Sequence, residues 1–157
     1  MFKKILTAID GSDPAKHALR FAAELAEENE AELVVLAVIP QLHAYFTEDV
    51  ELDYVQLQEE LQKSYGDMLQ KNVEELGRDH GDLKVTKLLE NGNPSKIIVE
   101  AAGEQGVDLI VLGNKGTGGI ISWMLGSTSR SVVEACTVPV LVVKDQQYCE
   151  MKRKPKR

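Results

Sequence analysis

The stretch Leu109-Ile110-Val111-Leu112-Gly113-Asn114-Lys115-Gly116, nine residues from Thr117 to Leu125, and then Gly126-Ser127-Thr128-Ser129 decides the fold of this chain. It opens as a short aliphatic run with no polar alternation, the pattern of a strand covered on both faces. It breaks at glycine and resumes at a Gly-Ser-Thr-Ser cluster, ahead of Val132, Val133 and Cys136 at helical spacing. Ser127 in that cluster also has the chemistry of a helix N-cap. Strand, glycine turn and helix in that order form one unit of an α/β protein.

Outward from this unit the same alternation runs to both ends. Further aliphatic runs stand at Ile5–Ile9, Leu33–Ile39, Val85–Leu89 and Val138–Val143. Between them lie segments of helical period. Ala15, Ala18, Leu19, Ala22, Ala23, Leu25 and Ala26 mark one apolar stripe, with Glu24, Glu27, Glu28 and Glu30 mostly outside it. Leu52, Val55, Leu61, Tyr65, Met68, Leu69, Val73 and Leu76 mark a longer one. Ile97, Ile98, Ala101 and Ala102 follow Asn93-Pro94-Ser95, a helix start with proline in the first turn. The order β-α-β-α-β-α-β-α-β predicts right-handed crossovers and an open, mostly parallel five-stranded sheet with helices on both faces. Residues from Pro40 to about Asp49 read as a loop.

Composition limits the function classes. With 157 residues, 43% hydrophobic and 27% charged, the chain has the size and make-up of one globular domain. No apolar run approaches the roughly 20 residues that span a bilayer. The apolar start of the chain ends at Asp10, too early for a signal-peptide core, so a cytoplasmic protein is expected. Cys136 and Cys149 form no metal or redox motif, and His17, His43 and His80 lack ligand spacing. The net charge is −7, from 18 basic and 25 acidic residues. Without Lys152, Arg153, Lys154, Lys156 and Arg157, 13 basic residues face 25 acidic ones, a body at −12. Such a body argues against nucleic acid, which needs a basic face. The expected division is a domain over 1–146 and a basic, flexible tail over 147–157.

The turn Asp10-Gly11-Ser12-Asp13-Pro14 is not G-x-G-x-x-G, and the chain carries neither a Walker G-x-x-x-x-G-K-[ST] nor a G-x-S-x-G elbow. The Gly113 to Ser129 segment has the chemistry of an anion site of another kind. Glycines let backbone amides approach a ligand, and a helix start offers unpaired N–H groups at the positive end of its dipole. Ser127, Thr128 and Ser129 add hydroxyls, and Lys115 adds a full charge. The plain alternative is a strand end that needs glycine, followed by a capped helix.

Gly113-x-x-Gly116-x9-Gly126-Ser127 resembles the G-2x-G-9x-G-[ST] motif of the ATP-binding branch of the universal stress protein family. Ile5 to Asp13 resembles that family's first strand and acidic turn. Asn91-Gly92-Asn93-Pro94 resembles its G-x-P helix start, and Val138 to Val143 its last strand. The resemblance implies strand order 3-2-1-4-5 in an adenine nucleotide α-hydrolase-like fold, with ligands at the switch between the first and fourth strands. It implies ATP, or ADP or AMP, as cofactor, with Mg or Mn accompanying the nucleotide. Asp10 would lie near the ribose hydroxyls, and in some members near a divalent ion; a turn-former bonding its own backbone is the alternative. Val38 would meet the adenine edge through its backbone, though a core valine fits equally. Gly113 and Gly116 would contact ribose and phosphate, and Gly126, Ser127, Thr128 and Ser129 the phosphates. Lys115 occupies a position that varies in the family, and Thr128 stands where valine is frequent.

Family members commonly dimerise through the last strand, so a homodimer through Val138–Val143 is expected; a long apolar edge invites pairing. The insert Ile120-Ile121-Ser122-Trp123-Met124-Leu125 is a second candidate contact or a lid. The expected function is a nucleotide-responsive stress protein with at most slow ATP hydrolysis. A true ATP-dependent enzyme and a dimeric scaffold with a vestigial site are the competing readings. The signatures H-x-G-H and S-G-G-x-D-S of related enzymes are absent.

Overall fold

Among the described residues five parallel strands and four helices alternate: β1 (Lys4–Ile9), α1 (Asp13–Glu28), β2 (Glu32–Pro40), α2 (Glu51–Asp79), β3 (Val85–Gly92), α3 (Pro94–Gln105), β4 (Leu109–Gly113), α4 (Ser127–Ala135) and β5 (Val140–Val143). The computed structural model describes residues 1–41, 51–115 and 125–144, and of residues 51–53 the backbone alone. The sheet order is β3-β2-β1-β4-β5, and every neighbouring pair is parallel. Architecture and strand order match the expectation.

The two faces of the sheet are covered by different helices. Ile5 and Ile9 of β1, Val35 and Ala37 of β2 and Val111 of β4 join α1 and α2 in one core. Leu6, Val34, Leu36, Ile110 and Leu112 point the other way and join α3 and α4. β2 is buried from Leu33 to Ile39, because helices lie on both sides and strands on both edges. Each large aliphatic side chain buried there contributes about 1.5–3 kcal/mol. α1 lies on the sheet through small residues, Ala15, Ala18, Ala22, Ala23 and Ala26, with Leu19 among them.

Among the described residues, two helix starts are capped by side chains. Ser12 Oγ accepts from the Ala15 N–H at 3.3 Å ahead of α1, and Asn93 Oδ1 accepts from the Lys96 N–H at 3.3 Å ahead of α3. Proline sits in the first turn of both, where its missing N–H costs nothing.

Several sequence expectations are revised. The last strand is Val140–Val143, not Val138–Val143: Val138 packs on the α3/α4 core, and Pro139 has no N–H for a ladder. β3 runs to Gly92, three residues beyond its aliphatic run, still paired with Val38, Ile39 and Pro40 of β2. Pro40 closes β2 rather than opening a loop, and residues 42–50 lie outside the described ones. Val55 and Val133, read as members of apolar stripes, are exposed. The 147–157 tail, His43, Cys149 and Ile120 to Met124 also lie outside the described residues.

Candidate functional site

β1 and β4 are neighbours in the sheet, yet α1 follows β1 onto one face and α4 follows β4 onto the other. Chain connections leaving in opposite directions open a crevice at the carboxyl ends of the strands. A cleft of about 380 Å³ stands at that place. Asp10, Val38, Gly113, Lys115, Gly126, Ser127, Thr128 and Ser129 all line it. Of the site residues read from the sequence, Gly116 alone falls outside the described ones.

The phosphate-like end is the start of α4. Gly126 is the N-cap, with φ −61° and ψ 154° and no side-chain cap, so Ser127 is the first helical residue and not the cap. The first-turn N–H groups of α4 thus stand at the cleft without the side-chain acceptor that serves α1 and α3. Uncapped amides at the positive end of the helix dipole form an anion-binding arrangement. The ends of the preceding segment are pinned: the Gly126 N–H donates to Asn114 O at 2.7 Å, and the Asn114 N–H to Val143 O at 3.1 Å. Of the three hydroxyl residues, Ser127 is exposed and Thr128 half-buried. Ser129 is buried, and its hydroxyl donates to Gly113 O at 2.8 Å. Here its hydroxyl serves the fold, while its N–H is part of the first turn.

Gly113 has a packing reason of its own. A Cβ there would lie 2.7 Å from Pro14 O and 3.1 Å from Ala15 N, so only glycine lets β4 end against the first turn of α1.

At the tip of β1, Asp10 Oδ1 accepts from the Ser12 N–H at 2.9 Å and also from the Ser12 hydroxyl. Asp10 thus forms the turn that presents Ser12 as the α1 cap, and it also lines the cleft. Gly11, at φ +83°, turns the chain beneath Met68 of α2, whose Sδ would be 3.1 Å from a Cβ at that position. The Val38 side chain is 7% exposed and belongs to the α3/α4 core, so its core reading holds for the side chain.

Sequence reading missed Ala8, Pro40, Tyr65, Pro94 and Ile98, which also line the cleft. Tyr65 is the informative one. It is half-buried against the α1/α2 core. Burial, and then the nearby Asp10 carboxylate, push its phenol above the ordinary value of 10.0. Among the described residues no group of three or more His, Cys, Asp or Glu could hold a metal ion, and no helix is long and apolar enough to cross a membrane.

Comparison with known proteins gives concordant results. The family model described as "Universal stress protein family" matches residues 1–144. Universal stress protein YxiE of Bacillus subtilis is 36% identical over 150 residues, covering 92% of this chain and all of that protein. Universal stress protein UspA from Lactobacillus plantarum superposes with a TM-score of 0.81 at 26% identity, covering 90% of this chain and 97% of the other. The universal stress protein from Archaeoglobus fulgidus in complex with dAMP superposes at 0.55 with 26% identity, covering 90% and 98%.

Proposed function

The chain belongs to the universal stress protein family, and on that premise we propose that it is an ATP-binding member, a stress-response regulator that holds an adenine nucleotide in the β1/β4 cleft. One observation carries the reading: the residues singled out from the sequence, at the tip of β1, in β2, at the end of β4 and at the start of α4, converge on one cleft that the uncapped first turn of α4 lines. The nucleotide phosphates would lie on the N–H groups of Ser127, Thr128 and Ser129, with Lys115 supplying charge. Gly113, at the end of β4, would contact the ribose, and Gly116, outside the described residues, is assigned to the same ligand by the motif alone. The base would lie toward Val38, Pro40 and Ile98, the apolar side of the lining. The A. fulgidus relative in complex with dAMP supports adenine as the base of the ligand and says nothing of a preference for ribose.

The donor set also fits a nucleotide-borne Mg or Mn, with Asp10 the carboxylate at hand; such an ion would neutralise phosphate charge. The ionisable groups among the described cleft residues are Asp10, Tyr65 and Lys115. That set suits occupancy, with slow hydrolysis at most, since uniform binding of substrate and transition state gives no turnover. The same reading places the protein in the cytoplasm as a homodimer. β5 supports the dimer, being a sheet edge with Leu141 exposed.

The direct test is mass spectrometry of small molecules released on denaturing the purified protein. Adenine nucleotide at near one per chain supports the reading. A protein that releases none, and then takes up no ATP with magnesium, contradicts it.

A further inference from the structure

The cleft wall contributed by α2 has no part in the motif that led to the site. Met68 packs over Gly11 and Leu69 is buried in the α1/α2 core. These contacts hold one turn of α2 above the tip of β1. Tyr65, on that same turn, lines the cleft where Asp10 does.

The sheet order says which part of a nucleotide meets this pair. β1 lies between β2 and β4, and adjacent strands are about 4.8 Å apart. With the base toward Val38 and Pro40 on the β2 side, and the phosphates at α4 beyond β4, the sugar falls over the end of β1. An ionised carboxylate accepts hydrogen bonds and cannot donate, with about four lone-pair sites over its two oxygens. Asp10, which lines the cleft, is an acceptor of the kind a sugar hydroxyl needs. A phenol both donates and accepts, and at neutral pH it carries its proton.

We infer that Tyr65 is a specificity-determining residue, its phenol hydroxyl reading the ribose hydroxyls together with Asp10, so that the cleft selects ribonucleotides from their deoxy counterparts. The inference rests on the nucleotide-binding reading above and adds to it a residue and a selectivity. A site built to hydrogen-bond a hydroxyl discriminates against the analogue that lacks it, because its own polar groups are then left unpaired.

The test is calorimetric titration of the wild type and Tyr65→Phe with ATP, 2′-deoxyATP and 3′-deoxyATP, each with magnesium. The phenylalanine variant keeps the ring that packs on the core. The wild type is expected to bind ATP more tightly than both deoxy compounds. Tyr65→Phe is expected to bind ATP roughly tenfold more weakly, the worth of one hydrogen bond, and to narrow the gap to at least one deoxy compound. Equal weakening for all three nucleotides would mean that the residue acts by shape, and the inference would fall. Unchanged ATP affinity in the variant would also overturn it. A wild type that binds no ATP at all would instead remove the nucleotide-binding reading itself, an outcome visible before the variant is measured.

Discussion

The Ser129 hydroxyl donates to the carbonyl oxygen of Gly113 across 2.8 Å, joining the first turn of α4 to the end of β4. This contact sets the two walls of the cleft relative to one another. It also separates what Ser129 does for the fold from what its backbone offers a ligand.

Ser129→Ala is accordingly expected to reduce stability by about 1–2 kcal/mol, since a buried carbonyl loses its donor. Its effect on ATP affinity should stay within roughly threefold, because the N–H of the first turn is retained. Thermal unfolding and calorimetry of the same sample check both. A large loss of affinity with unchanged stability would show the hydroxyl to be a ligand contact.

Gly113→Ala places a methyl 2.7 Å from the Pro14 carbonyl oxygen. Backbone cannot swing aside as a side chain does, so β4 and α1 must separate. The expected cost is about 1–3 kcal/mol, a fall in Tm of roughly 3–10 °C for a chain of this size. An unchanged Tm would mean that the junction of β4 with α1 is looser than described.

Much of this arrangement was legible before the structure. Aliphatic runs without alternation identify strands covered on both faces, and the Asn93-Pro94 start of α3 was readable from capping chemistry alone. Spacing brought Gly113, Gly126 and Ser127 to one site because a strand end and a helix start are local features. Tyr65 was not readable in this way. Its spacing fits the core stripe of α2, and it does pack on that core; only the seating of Met68 over Gly11 brings it to the cleft. The role of Ser129 was hidden for the same reason, since its partner lies 16 residues away. Val55 was misread because helical spacing marks a face without saying where along a long helix the sheet ends.

Away from the cleft, Glu32 ties β2 to β3. It accepts from Thr86 Oγ1 at 2.6 Å and Lys84 Nζ at 3.1 Å, with Lys4 Nζ at 3.5 Å. The Thr86 and Lys84 hydrogen bonds hold its carboxyl below the ordinary 4.5. A carboxylate with a lowered folded-state value stabilises the fold above its unfolded value and loses that contribution as pH falls through the folded one. Glu32→Gln should therefore be less stable at neutral pH by roughly 1 kcal/mol. The difference should close as pH drops below about 4. Chemical denaturation across that range checks it, and a pH-independent difference would contradict the assignment.

The dimer proposal has a direct consequence at Leu141, which is 37% exposed on edge strand β5. A lysine there blunts an edge against pairing. Light scattering on Leu141→Lys is expected to give the monomer mass where the wild type gives the dimer. Dimers in both would place the interface elsewhere.

The central claim is that the α4 start in the β1/β4 cleft holds ATP, and calorimetric titration of the wild type beside Gly126→Val tests it most directly. The φ and ψ of Gly126, −61° and 154°, are open to any residue, so valine there leaves the backbone conformation available. A side chain there would stand in the cleft that Gly126 lines. The account predicts micromolar affinity for ATP with magnesium in the wild type and loss of binding in a variant that still unfolds cooperatively. Equal affinity in both proteins, or no binding in the wild type, would contradict it.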